Sequence, residues 1–140
     1  MTVHLAVRVL VSIASAASIG FGLWHFSMPD AWHWYSYIDA GATELVIAVR
    51  AINVFFSLSL VLFGLVNLLL VFGNRSNRYS IAVMLAATSV LWGTRLAFQL
   101  IYPQGSISPI LQYGLLAAFA VVTLCYLASL WLVLRQSTAA

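Results

Sequence analysis

"LVIAVRAINVFFSLSLVLFGLVNLLLVF", residues 45–72, decides the fold. The run is apolar almost throughout and holds a single charge, Arg50. A helix crosses a hydrocarbon core with about 20 such residues. The stretch therefore reads as a membrane span that ends at "GNRSNR". Three similar runs accompany it: about Leu5–Phe26, ending before "SMPD"; about Ser80–Tyr102, stopped by Pro103; and about Ile110–Leu134. Short connections between the later spans favour antiparallel neighbours. The expected fold is all-α: an integral membrane four-helix bundle, up-down and antiparallel, with residues 1–140 as one transmembrane domain.

Composition agrees. Of the 140 residues 64% are hydrophobic and 6% charged, where a soluble domain carries about a quarter charged residues. So few charges cannot cover a water-facing surface, and lipid must solvate most of the chain. All six basic residues are arginines, and a net charge of +3 scattered along the sequence is no nucleic-acid footprint. The lone Cys125 excludes an internal disulfide and a Cys-x-x-Cys redox pair. "MTVHLAVRVLVSIASAAS" imitates a signal peptide, but the apolar run after Arg8 is too short before its Ala-Ser-Ala and continues beyond it. An uncleaved first span is expected. Along that span Ala14, Ser18 and Gly22 recur at four-residue spacing, as do Ser12, Ala16 and Gly20, ridges that let helices approach closely in lipid.

Orientation follows from arginine placement. Arg8, Arg75, Arg78 and Arg135 flank spans on one side, whereas the opposite loops hold Asp30, Asp39 and Glu44 and no arginine. The positive-inside rule then places both termini in the cytoplasm and residues 27–44 and 103–109 outside, in a multi-pass protein of the inner (plasma) membrane. Trp32, Trp34, Tyr35 and Tyr37 suit an outer loop lying at the lipid–water interface.

Arg50 and Arg95 remain, both inside spans. They lie five residues in from Leu45 and seven before Tyr102, depths of ~7 and ~10 Å at the helical rise. A charge at such depth snorkels, pairs or faces a wet cavity. Trp92, Arg95 and Gln99 share one helical face, and Asn53 is spaced to lie beside Arg50. With His25 and Glu44 at neighbouring span ends, these residues predict an outward-facing polar pocket floored by Asn53 and Trp92. Two arginines at one level favour an anionic or oxygen-bearing guest such as a lipid headgroup, a carboxylate or a quinone. The competing reading pairs them with Glu44 and Asp39 as a structural lock. Asn67, Tyr126 and Ser129 are expected to bond between helices.

Other chemistries find less support. His25, Met28, Asp30 and His33 lack a fixed metal-ligand spacing, and Pro29 interrupts them. A bis-histidine haem needs a second histidine at matching depth, and a proton-coupled exporter needs an acid within a span. No Ser-His-Asp arrangement or phosphate-cradling glycine loop is visible. The sequence names neither a reaction nor a cofactor.

"GFGLWHFSMPDAWHW" resembles the start of small bacterial four-helix membrane proteins of the DoxX-like kind, through His25, Phe26, Pro29 and Glu44, over about the first half of the chain. That resemblance implies membership of a membrane redox or stress-response complex rather than catalysis by this chain alone. "VRAINVFF" is similar to the arginine-alanine-x-asparagine signature of the membrane glutathione and eicosanoid enzymes, matched by Arg50, Ala51 and Asn53, with Phe56 where that signature has a glutamate. The expected function is a non-catalytic accessory subunit of a larger membrane complex, or a binder of a small amphipathic molecule such as a lipid or quinone. The alternatives are a membrane enzyme with an arginine-lined site and a self-associating structural protein.

Overall fold

The computed structural model describes residues 4–105 and 108–135. Its long elements are α1 (Leu5–Phe26), α3 (Thr43–Phe72), α4 (Arg78–Ile101) and α5 (Pro109–Arg135); a single-turn helix, α2 (Met28–Ala31), and a 3₁₀ turn at Trp34–Tyr37 lie between α1 and α3. All four long helices are long and apolar enough to cross a membrane. In such a solvent every backbone N–H and C=O needs a partner within the chain, which helices supply from their own residues. Asn77 caps α4, its side-chain oxygen accepting from Ser80 N at 2.8 Å, so that helix starts at Arg78, ahead of the expected Ser80. Pro109 stands in the first turn of α5, where its missing N–H costs nothing.

Polarity is inverted relative to a soluble bundle. Phe55, Leu69, Val90, Leu124 and Trp131 lie on the outside, while Ser15, Ser18, Ser57, Asn67, Thr88 and Ser129 are buried. The buried groups bond to one another and to backbone. Ser18 Oγ donates to Leu60 O at 3.0 Å and accepts from Trp92 Nε1 at 3.3 Å, joining three helices. Ser15 Oγ meets the Tyr126 hydroxyl at 3.1 Å, and Asn67 Nδ2 donates to Thr88 Oγ1 at 2.7 Å. Ser129 departs from expectation: its hydroxyl donates back to Cys125 O on its own helix. An intrahelical carbonyl four residues away satisfies a serine without help from a neighbour.

Of the two small-residue ridges only one packs. Ala14, Ser18 and Gly22 are buried, the last two against α3, whereas Ala16 and Gly20 are exposed. A Cβ at Gly22 would sit 2.7 Å from Ser57 O, and one at Gly64 would sit 2.7 Å from Ile19 Cγ1 and 3.0 Å from Ser15 O. Backbone therefore meets backbone along this seam.

Arg8, Arg78 and Arg135 lie near the ends of their helices. Arg8 lies over the Phe72 ring, 5.6 Å from its centroid, and Arg135 over Trp131 at 3.9 Å. Arg78 donates from Nε to Val133 O at 2.8 Å and from Nη2 to Leu134 O at 2.7 Å, satisfying carbonyls that the end of α5 leaves open. The connection between α1 and α3 folds inward, and Met28 and Pro29 are buried.

Candidate functional site

The packing of α3 on α4 is closed at Asn67–Thr88 and open towards the end that carries the α1–α3 connection. The opening is a cavity of about 450 Å³. Ile52, Asn53 and Phe56 of α3 form one wall and Leu91, Arg95 and Phe98 of α4 the other, with His25 of α1 behind and Trp34 and Gln104 from the connections above. Aliphatic and aromatic surface predominates, interrupted by a few polar groups, as in small-molecule sites generally.

Arg95 is the charge in this cavity. Its guanidinium carbon lies 4.4 Å from the centroid of the Phe119 ring on α5, a cation–π contact that shields one face. Nη2 donates to Gln104 Oε1. No other hydrogen bond to the guanidinium, and no carboxylate partner, occurs among the described residues. A guanidinium has five N–H donors, so most of its capacity is unused. Its one polar partner is a neutral amide, which an anion or a carbonyl oxygen can displace or join.

His25 comes from the last turn of α1. Its Nδ1 is 3.1 Å from Ser57 Oγ, and its ring makes edge contacts with Phe56 at 4.8 Å and Trp34 at 6.1 Å between centroids. The side chain of Asn53 is the ring's second polar partner. Asn53 follows on α3, only 6% exposed. Its Nδ2 donates to Phe26 O at 3.4 Å, one of the carbonyls left open where α1 ends, and its side chain also meets His25.

The predicted stripe on α4 splits into three jobs. Trp92 is 1% exposed and packs in the bundle core against Phe119 and Phe21, outside the cavity lining. Gln99, 2% exposed, clamps the turn after α4: its Nε2 donates to Gln104 O at 3.0 Å and its Oε1 accepts from Gln104 N at 3.3 Å. By fixing Gln104 it fixes the partner of Arg95. Arg95 alone of the three enters the cavity.

Arg50 and Glu44 lie elsewhere. Arg50 is exposed, its guanidinium 4.8 Å above the Tyr35 ring, and Glu44 is exposed in the first turn of α3. Asn53, three residues on, is buried. The expected lock between Arg50 or Arg95 and Glu44 or Asp39 is not formed among the described residues; Asp39 instead accepts from Gly41 N at 2.8 Å in a local turn. The physical reason is length. α3 has 30 residues and α1 has 22, so the first turns of α3 run past the end of α1 and meet the connection instead of the bundle. Trp34, Phe56 and Gln104 were not legible as site residues. Trp34 and Gln104 sit in irregular segments with no periodicity to place them, and Phe56 reads as ordinary span.

The chain matches no protein-family model, no curated protein and no solved structure.

Proposed function

We propose that this is a small multi-pass protein of the inner membrane that binds an amphipathic molecule with an anionic or carbonyl head, such as a lipid or quinone, in the cavity between α3 and α4. The observation that carries the reading is Arg95: a cation in an otherwise apolar cavity, with no carboxylate partner among the described residues and a neutral amide as its one hydrogen-bond partner. The His25 ring adds a second polar group on the same cavity. The role fits a non-catalytic subunit of a larger membrane complex, as the DoxX-like resemblance implies.

In this reading the helices run up and down with both termini in the cytoplasm. The nearness of Arg8 to Phe72 and the bonds from Arg78 to Val133 and Leu134 support antiparallel neighbours. Arg8, Arg75, Arg78 and Arg135 then mark the cytoplasmic face, and the cavity opens near the outer one. An enzyme that uses Arg50 and Asn53 together has less support, because one side chain is exposed and the other buried.

Native mass spectrometry from mild detergent tests the proposal. A retained lipid or quinone that is lost from Arg95→Gln, while the variant keeps the wild-type melting temperature, is the expected result. Equal retention by both proteins, or no retained molecule from either, would count against it.

A further inference from the structure

A second cavity, of about 270 Å³, lies beside the first and shares three of its walls: His25, Trp34 and Gln104. Its remaining lining differs in kind. Trp24, Met28 and Trp32 come from the end of α1 and the segment after it, Leu115 from α5, and no charged side chain is present. Among the described residues, its side-chain polarity apart from the shared His25 and Gln104 is limited to indole N–H groups. The first cavity is mostly aliphatic and aromatic too, but it holds the charge, Arg95, with its unused donors. Trp34 lines both, edge-on to His25 at 74° and held by the connection, where His33 adopts a left-handed φ of 52°.

We infer that the two cavities are compartments of one site: the ligand's oxygen-bearing head lies at Arg95, and its apolar body passes His25 and Trp34 into the tryptophan-lined compartment instead of leaving between α3 and α4 into the bilayer. This rests on the proposed binding role and adds to it the path and chemical division of the ligand. Continuity of walls supports it, because His25, Trp34 and Gln104 line both cavities. Three tryptophans around the inner compartment favour an apolar body that can lie flat against indole faces.

Photo-affinity mapping tests the path. The probe is a long-chain carboxylate with a diazirine at its far end, added to the full chain in nanodiscs and located by peptide mass spectrometry. Labels on Trp24, Met28, Trp32 or Leu115 are expected, reduced about tenfold in Arg95→Gln. Leu115→Trp, which fills the inner compartment, should move the label out of it while carboxylate binding persists; Met28→Trp serves the same purpose if the first variant misfolds. The wild-type map needs no variant. Labels confined to Val49, Ile52 and Phe98 that still depend on Arg95 would overturn the two-compartment path and leave the binding role intact. Labelling that is absent, or indifferent to Arg95→Gln, would overturn both.

Discussion

Gly22 and Gly20 lie two residues apart on α1 and offer a controlled comparison. A Cβ at Gly20 meets nothing within 4 Å, whereas one at Gly22 falls 2.7 Å from Ser57 O and 2.9 Å from Val61 Cγ2. The nearest obstacle is a backbone oxygen, so no side-chain rotation relieves the clash. To restore an ordinary 3.4 Å contact, α1 and α3 must separate by about 0.7 Å at this point. Overpacking of this kind costs about 1–3 kcal/mol, while replacing a helical glycine by alanine returns roughly 0.5–1 kcal/mol. Gly22→Ala should therefore be destabilised by about 0.5–2 kcal/mol, and Gly20→Ala should be neutral or up to ~1 kcal/mol more stable. Reversible unfolding in mixed detergent–SDS micelles measures both. Because Ser57 also holds His25 Nδ1 at 3.1 Å, the same displacement loosens one wall of the cavity, and ligand retention should fall in Gly22→Ala alone. Equal stabilities for the two variants, within about 0.5 kcal/mol, would refute the close backbone approach.

Three further outcomes follow from the packing. A double-mutant cycle on Asn67→Leu and Thr88→Val should give a coupling of about 0.6 kcal/mol, at most ~1.7; zero coupling would mean that this bond does not form in the membrane. Arg78→Met removes two donors from the end of α5, and amide exchange should quicken in its last turn, at Val133–Arg135, with little change near Tyr126. Gly105 holds φ at +78°, and a Cβ there would lie 2.9 Å from Leu111 Cγ, so Gly105→Ala should cost about 1–3 kcal/mol and disorder the Gln104 contact to Arg95. Gly114→Ala, where a Cβ meets nothing within 4 Å, is its control.

The helices were legible because their signal is summed over many residues. Every turn of residues 45–72 repeats the same apolar message, and Pro103 marks the end of the third span within two residues of Ile101. The Ala14–Ser18–Gly22 ridge was legible as a packing surface for the same reason. That it packs while the Ser12–Ala16–Gly20 ridge does not depends on where α3 lies, which spacing along α1 cannot convey. The polar stripe on α4 failed differently. Shared helical spacing placed Trp92, Arg95 and Gln99 on one face, but over about two turns of helix they meet three different surroundings: the core, the cavity and the connecting turn. Spacing fixes direction; depth along the bundle fixes the job.

Depth also separates the two arginines. In the sequence each is an isolated cation a few residues inside a span, and symmetry of that kind invites a shared role. In the structure α3 outruns α1, so Arg50 reaches the connection and lies over Tyr35, while Arg95 is half-buried against Phe119 with Gln104 as its polar partner. An exposed cation–π contact contributes about 0.5–1 kcal/mol, so Arg50→Gln should cost little stability and leave ligand retention within about twofold. Arg95→Gln removes the cation from the cavity, and retention of an anionic or carbonyl head should fall about tenfold or more, as expected for loss of a charge-assisted hydrogen bond. The comparison is read from native mass spectra of the two variants prepared side by side. If Arg50→Gln were the one to empty the site, the cavity between α3 and α4 would not be where the ligand lies.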